Sequence, residues 1–259
     1  MALPEVQRII YKKNPLEEVI CQLRFPPILR IETGVPAEFQ DVLSRKEYPL
    51  YEPTETLAGV VPADIQKLLG GTLSPKGKEH NFLTEDRKWR ITLTKDFIAL
   101  TALAYERWEY FWGHMQKAVT ALEKVYEPAY YSRLGLRYKD VIRKSVLGLP
   151  GAKWTDLLKP HIAGELGTEL ADEIEARSNL MMIELEGGIG RARVQHGLAK
   201  KEGESEVAYV IDADFFVEGK TESEYVRERL KHFNIQAARL FRWCITDALH
   251  EAMGPQPID

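Results

Sequence analysis

Hydrophobic residues along this chain follow two rhythms, one of period two and one near 3.6, and the changes between them predict its elements. Residues 19–31 carry Val19, Ile20, Leu23, Phe25, Ile28, Leu29 and Ile31 around Pro26-Pro27. This reads as a strand, a proline-marked bend and an extended continuation. Residues 36–46 fit a short helix opening on proline, with Phe39, Val42 and Leu43 on one face. Residues 61–69 fit a second, closed by Gly70-Gly71. Three strands are expected over 80–84, 88–94 and 97–103; in the middle one Trp89, Ile91 and Leu93 alternate with Arg90, Thr92 and Thr94. Residues 105–126 return to helical spacing through Trp108, Phe111, Trp112, Met115, Val119, Leu122 and Tyr126, and Pro128 ends the run.

The pattern then starts again. A strand is expected over 130–142, and short helices over 155–158 and 163–176, the first capped by Thr155 with Asp156 in its opening turn. Strands over 180–186, 190–198 and 207–217 follow, with turns at Gly187-Gly188 and the charged stretch 200–206. A long helix over 223–253 carries Val226, Leu230, Phe233, Ala237, Leu240, Cys244 and Ala248 on one stripe until Gly254-Pro255. Leu23-Arg24-Phe25 parallels Leu136-Arg137-Tyr138, and Asp96-Phe97-Ile98 parallels Asp214-Phe215-Phe216. The expected fold is therefore α+β, an internal duplication of two similar halves, 1–127 and 128–259. Each half is a mostly antiparallel sheet with short helices and one long C-terminal helix. The halves pack as one compact unit about a pseudo-two-fold axis, with the helices covering the sheets.

Composition narrows the function. The 259 residues are 44% hydrophobic and 29% charged, enough for a core and a solvated surface. A net charge of −4 argues against a dedicated nucleic-acid coat and leaves room only for a local basic patch. The two cysteines, Cys21 and Cys244, are too few for a zinc site or a disulfide framework and fit a reducing compartment. The first residues lack the basic-then-apolar order of a signal peptide, and no apolar run approaches the roughly 20 residues of a membrane helix. The cytoplasm is the expected location, with no membrane contact and no cofactor.

Segment 133–141 is the most unusual. On a period of two, Leu134, Leu136, Tyr138 and Ile142 share one face and Arg133, Gly135, Arg137 and Lys139 the other. Arg133, Arg137 and Lys139, with Arg24 at the matching place in the first half, are the candidate binding residues for a phosphate, a carboxylate or nucleic acid. The space over Gly135 would admit a ligand to the backbone. The alternatives are a solvated face or structural ion pairing. Asp212 with Asp214, and Glu184 with Glu186, are carboxylate pairs on single strands but lack a third ligand or a lysine partner. Asp214 reads more simply as a residue preceding the helix turn, as Asp96 does. The six histidines show no metal spacing, and His114 falls on the polar side of its helix. Gly187-Gly188-Ile189-Gly190 lies between strands, so a hairpin turn and not a dinucleotide loop is expected. Trp108, Phe111 and Trp112 read as a helix core face before a stacking platform, and the charges of the last helix as a solvated face.

Pro15-Leu16-Glu17-Glu18-Val19 with Cys21-Gln22-Leu23-Arg24-Phe25, and Arg133-Leu134-Gly135-Leu136-Arg137-Tyr138, resemble the two signature blocks of a sporadically distributed bacterial family of uncharacterised function, over essentially the whole chain. That family usually continues its tyrosine with an aliphatic residue and asparagine, where this chain has Lys139-Asp140. The resemblance implies mobile or defence-associated surroundings and supplies no catalytic residue. Two functions are expected from different classes. One is a non-enzymatic binding or regulatory protein that docks a protein partner, such as a toxin or defence effector, or a small anionic ligand. The other is an enzyme acting on a phosphorylated or nucleic-acid substrate in an arginine-lined cleft.

Overall fold

The structure, a computed structural model, describes residues 3–56, 77–200, 203 and 205–258. Its period-two segments form β2 (Leu16–Arg24), β3 (Leu50–Thr56), β4 (Gly77–Leu83), β5 (Trp89–Leu93), β6 (Phe97–Ala102), β7 (Tyr131–Ile142), β8 (Arg177–Glu184), β9 (Arg191–Lys200) and β10 (Val207–Thr221). They join one nine-stranded sheet in the order β3-β4-β5-β6-β2-β7-β10-β9-β8. All its pairings are antiparallel. Residues up to Thr56 and from Gly77 to Tyr126 supply the run from β3 to β2, and later residues supply the rest. The two halves meet at the β2–β7 ladder, where Gln22 faces Gly135 and Arg24 faces Arg133.

The helices are α1 (Ala37–Leu43), α2 (Trp108–Tyr126), the one-turn α3 (Lys144–Leu147), α4 (Trp154–Leu157) and α5 (Pro160–Ala163), then α6 (Val226–Cys244) and α7 (Asp247–Ala252). α2 and α6 turn their apolar stripes onto one face of the sheet. Phe111, Met115 and Leu122 of α2, and Leu230, Phe233 and Leu240 of α6, are buried there against Cys21, Leu23, Leu136, Ile98 and Phe215. Burial of these stripes, more than helix propensity, holds the helices in place. A short β1 (Ile9–Tyr11) pairs with β11 (Pro255–Pro257) and straps the chain's beginning to its end over the same face.

Several expectations change. After Pro26-Pro27 the chain makes a 3-10 turn (Leu29–Ile31) in place of an extended continuation; the turn lets the Ile31 carbonyl accept from His80 Nε2 at 3.1 Å. The segment 163–176 is not a continuous helix but α5 followed by 3-10 turns. Thr155 lies inside α4, whose N-cap is Lys153; Asp156 accepts from the Lys153 amide at 3.1 Å. The last helix breaks after Cys244. Ile245 is extended and bridges Leu158, and the Thr246 side chain accepts from Leu249 N to start α7. Asp214 stands mid-strand in β10, well before any helix. The helix expected over 61–69 lies outside the described residues. Strand β3 was not expected at all: Pro53 interrupts its pattern, but as an edge strand it tolerates the missing donor. Among the described residues, no helix is long and apolar enough to cross a membrane.

Candidate functional site

The arginine strand meets its partners on the sheet face away from the helices. Strand alternation sends Arg133, Gly135, Arg137 and Lys139 of β7 to that face, and the ladder with β10 sets Asp214 opposite Arg137 and Asp212 opposite Lys139. Arg137 donates Nε to Asp212 Oδ1 at 2.6 Å and Nη2 to Oδ2 at 2.5 Å, the two-point grip that only a guanidinium makes. Arg133 donates Nη2 to Asp214 Oδ2 at 2.7 Å. All four side chains are 11 to 16% exposed. Arg133 reaches Asp214 by lying along its own strand over Gly135, where a Cβ would overlap Nη1. Its guanidinium also rests 4.9 Å from the centre of the Phe216 ring. The space above Gly135 is thus occupied by Arg133.

Arg24 stands across the β2–β7 ladder from Arg133 and donates Nε to Gln22 Oε1 at 3.2 Å. Burial lowers its pKa, with the charge of Arg133 adding to the effect. Burial also raises Asp214 from its ordinary value while Arg133 pulls it back. The four candidate cations and the Asp212/Asp214 pair therefore share one surface. Glu184 lies on the same face at the far edge strand β8, and Glu186 sits in the turn after it. That turn is the expected hairpin, with Gly187 and Gly188 both at positive φ.

The described histidines lie apart. His114 is not on a polar surface: its ring stacks on Trp89 at 4.0 Å and its Nδ1 lies 2.5 Å from the Tyr48 hydroxyl. His196 is buried on the Tyr209 hydroxyl at 2.7 Å, and burial pushes its pKa down to about 4. Among the described residues no group of three or more His, Cys, Asp and Glu side chains could hold a metal ion.

A second site lies on the helix side of the sheet. A cavity of about 720 Å³ opens between α6 and the β7–β10 pair, bounded above by the segment that carries β1. Its floor comes from Tyr138, Asp140, Ile211, Ala213 and Phe215, and its α6 wall from Asn234, Ala237, Leu240 and Phe241. Tyr138 and Tyr105 both donate their hydroxyls to Asn234 Oδ1, at 2.8 and 3.1 Å, which pins α6 to the sheet. Tyr11 closes the roof with its hydroxyl 2.8 Å from His250 Nδ1 and its ring edge-on to Phe241 at 6.0 Å. At the rim Arg8 pairs with Glu109 at 2.5 Å, and Arg242 pairs with Asp247.

Asp140 is the unusual member of this lining. Burial pushes its carboxyl up to about 8, and the charge of Asp212 adds to the shift. Among the described residues no hydrogen bond or ion pair engages it. The sequence held the signal: Asp140 interrupts the core-facing column Leu134, Leu136, Tyr138, Ile142, and Asn234 falls in the apolar stripe between Leu230 and Ala237. A polar residue in an apolar column is the informative observation, because an unpartnered polar group is costly to bury. No family model matches this chain, and no curated protein matches it in sequence.

Proposed function

We propose that this chain is a binding protein that holds a small molecule in the cavity between α6 and the β7–β10 pair. One observation carries the reading: a volume of about 720 Å³, in the range of small-molecule sites, coincides with a few convergent polar groups on an apolar and aromatic lining. The tyrosine hydroxyls on Asn234 fix the polar floor before any ligand arrives, the condition for selective binding. The alternative, an enzyme with an arginine-lined cleft, has less support: Arg133 and Arg137 already neutralise the carboxylates that would do its chemistry.

The scaffold reads as a duplication. Strands β4-β5-β6-β2 and β8-β9-β10-β7 repeat one order inward from each side, and a long helix follows the strand beside the central one in both halves. If Leu23–Phe25 corresponds to Leu136–Tyr138, then Gln22 corresponds to Gly135, and these two face each other on the central ladder. A two-fold relation requires such a self-paired position.

The test of binding is native mass spectrometry of the protein as purified, beside Ala238→Trp, which places an indole at the cavity wall. The expected result is a small-molecule adduct on the wild type that the variant lacks. Equal adducts on both, or none on either, would overturn the reading.

A further inference from the structure

We infer that the ligand of this cavity carries a cation, an ammonium or a guanidinium, on an apolar or aromatic body, and that the Asp140 carboxylate receives it. The inference rests on the cavity being the binding site and adds the ligand's charge and the residue that reads it.

The first ground is a contrast within one pair of strands. On the open face of β7 and β10, Asp212 and Asp214 are each held by an arginine. On the cavity face of the same strands, Asp140 stands beside Ile211 with no such partner among the described residues. Asp140 is half-buried, and a carboxylate partly withdrawn from water is favoured by a proton or a cation. The arginines near the cavity are committed elsewhere. Arg8 reaches Glu109 at 2.5 Å, Arg242 pairs with Asp247, and Arg107 lies 3.5 Å from Glu109. Among the described residues, the charge that adds to the burial shift of Asp140 is that of Asp212.

The second ground is the lining. Tyr11, Tyr105, Trp108, Tyr138 and Phe241 present aromatic surface to the same cavity. An ammonium set against such rings gains cation–π attraction, and its carbon body gains apolar burial.

The proton balance follows. The carboxyl holds its proton when the cavity has no cation; an arriving ammonium displaces that proton to solvent and forms the ammonium–carboxylate pair. Binding therefore tightens as pH rises toward about 8. Among the described residues, the titratable and charged groups around Asp140 include Tyr138 on its own strand, Asp212 on β10, Tyr11 on β1, Cys244 and Arg242 on α6, and His250 on α7. Lys159 and His161 stand at the rim. Burial raises both tyrosines and pushes Cys244 up to about 12, and it lowers His250 below its usual value.

The experiment titrates the full chain with three probes of one shape, 3-phenylpropylamine, 3-phenylpropanol and 3-phenylpropanoate, by calorimetry between about pH 6 and about pH 8. The amine is expected to bind at least about tenfold tighter than the alcohol, and to gain up to roughly tenfold per pH unit while releasing a proton. Asp140→Asn, an isosteric change that keeps the neutral shape, should abolish the amine preference and the pH dependence while leaving the alcohol within about twofold. His161→Gln should change neither. Equal binding of all three probes, or an amine preference that survives in Asp140→Asn, overturns the cation and leaves the cavity reading standing. Binding of none of them overturns both.

Discussion

At the scale of single residues, the sequence singles out Arg133 and Arg137, but the cross-strand register decides what they contact. Alternation predicts that they share a face; it does not tell that Asp212 and Asp214 arrive on the same face from β10, because register is a long-range property. Removing one arm strands the other. Arg137→Ala should therefore lower stability by roughly 3–5 kcal/mol, and Arg137→Lys by less while losing the two-point grip, both read from urea denaturation. Gly135 is coupled to the same network. Gly135→Ala should displace the Arg133 guanidinium and cost about 1–3 kcal/mol, but far less in an Arg133→Ala background, and a double-mutant cycle measures the difference. Asp140 gives a pH signature. Its carboxyl is raised from 3.8 to about 8 in the folded protein, so the native state holds a proton that the unfolded chain releases. Stability should thus fall as pH rises across that interval and level off above it. Asp140→Asn should flatten this slope; an unchanged slope would place the titration on another group.

At the scale of elements, hydrophobic period was a sound guide wherever one face is buried along its whole length. The stripes of α2 and α6 pack as their spacing predicts, with Met115, Leu230 and Phe233 fully buried and Trp112 nearly so. Leu230→Ala should cost about 2–5 kcal/mol in thermal or chemical unfolding. Period failed where local capping overrode it. Apolar spacing continues past Cys244, yet Thr246 offers an N-cap and Ile245 is drawn into a bridge with Leu158, so one predicted helix becomes two. The break matters for the cavity, because it turns α7 back to bring His250 under Tyr11. The strap itself was illegible: β1 and β11 are three residues each, and β11 is mostly proline, so neither shows a strand pattern. Their pairing exists because the two chain ends meet over the core.

At the scale of the whole molecule, the two halves share a single sheet joined at the β2–β7 ladder, a pairing that the sequence pattern does not specify. A long, unpaired β2 or β7 would leave a full row of backbone donors and acceptors exposed at a sheet edge. Each would also uncover apolar surface: Cys21 and Leu23 on one side, Leu134 and Leu136 on the other, all fully buried in the intact chain. Further ties cross the divide, with the Tyr105 hydroxyl on Asn234, the Tyr131 hydroxyl on Glu123 and Ser223 on Glu123. Neither half is therefore expected to fold as a monomer. Fragments 1–127 and 128–259 expressed apart should be insoluble or associate through their open ladders, whereas the two expressed together should assemble one-to-one. The complex should recover the circular dichroism of the intact chain and, if the cavity is rebuilt, its ligand adduct. Size-exclusion chromatography with circular dichroism decides it: a stable, structured monomer of either fragment would show that each half closes its own core. The central ladder would then be a docking interface between two domains and not the middle of one sheet.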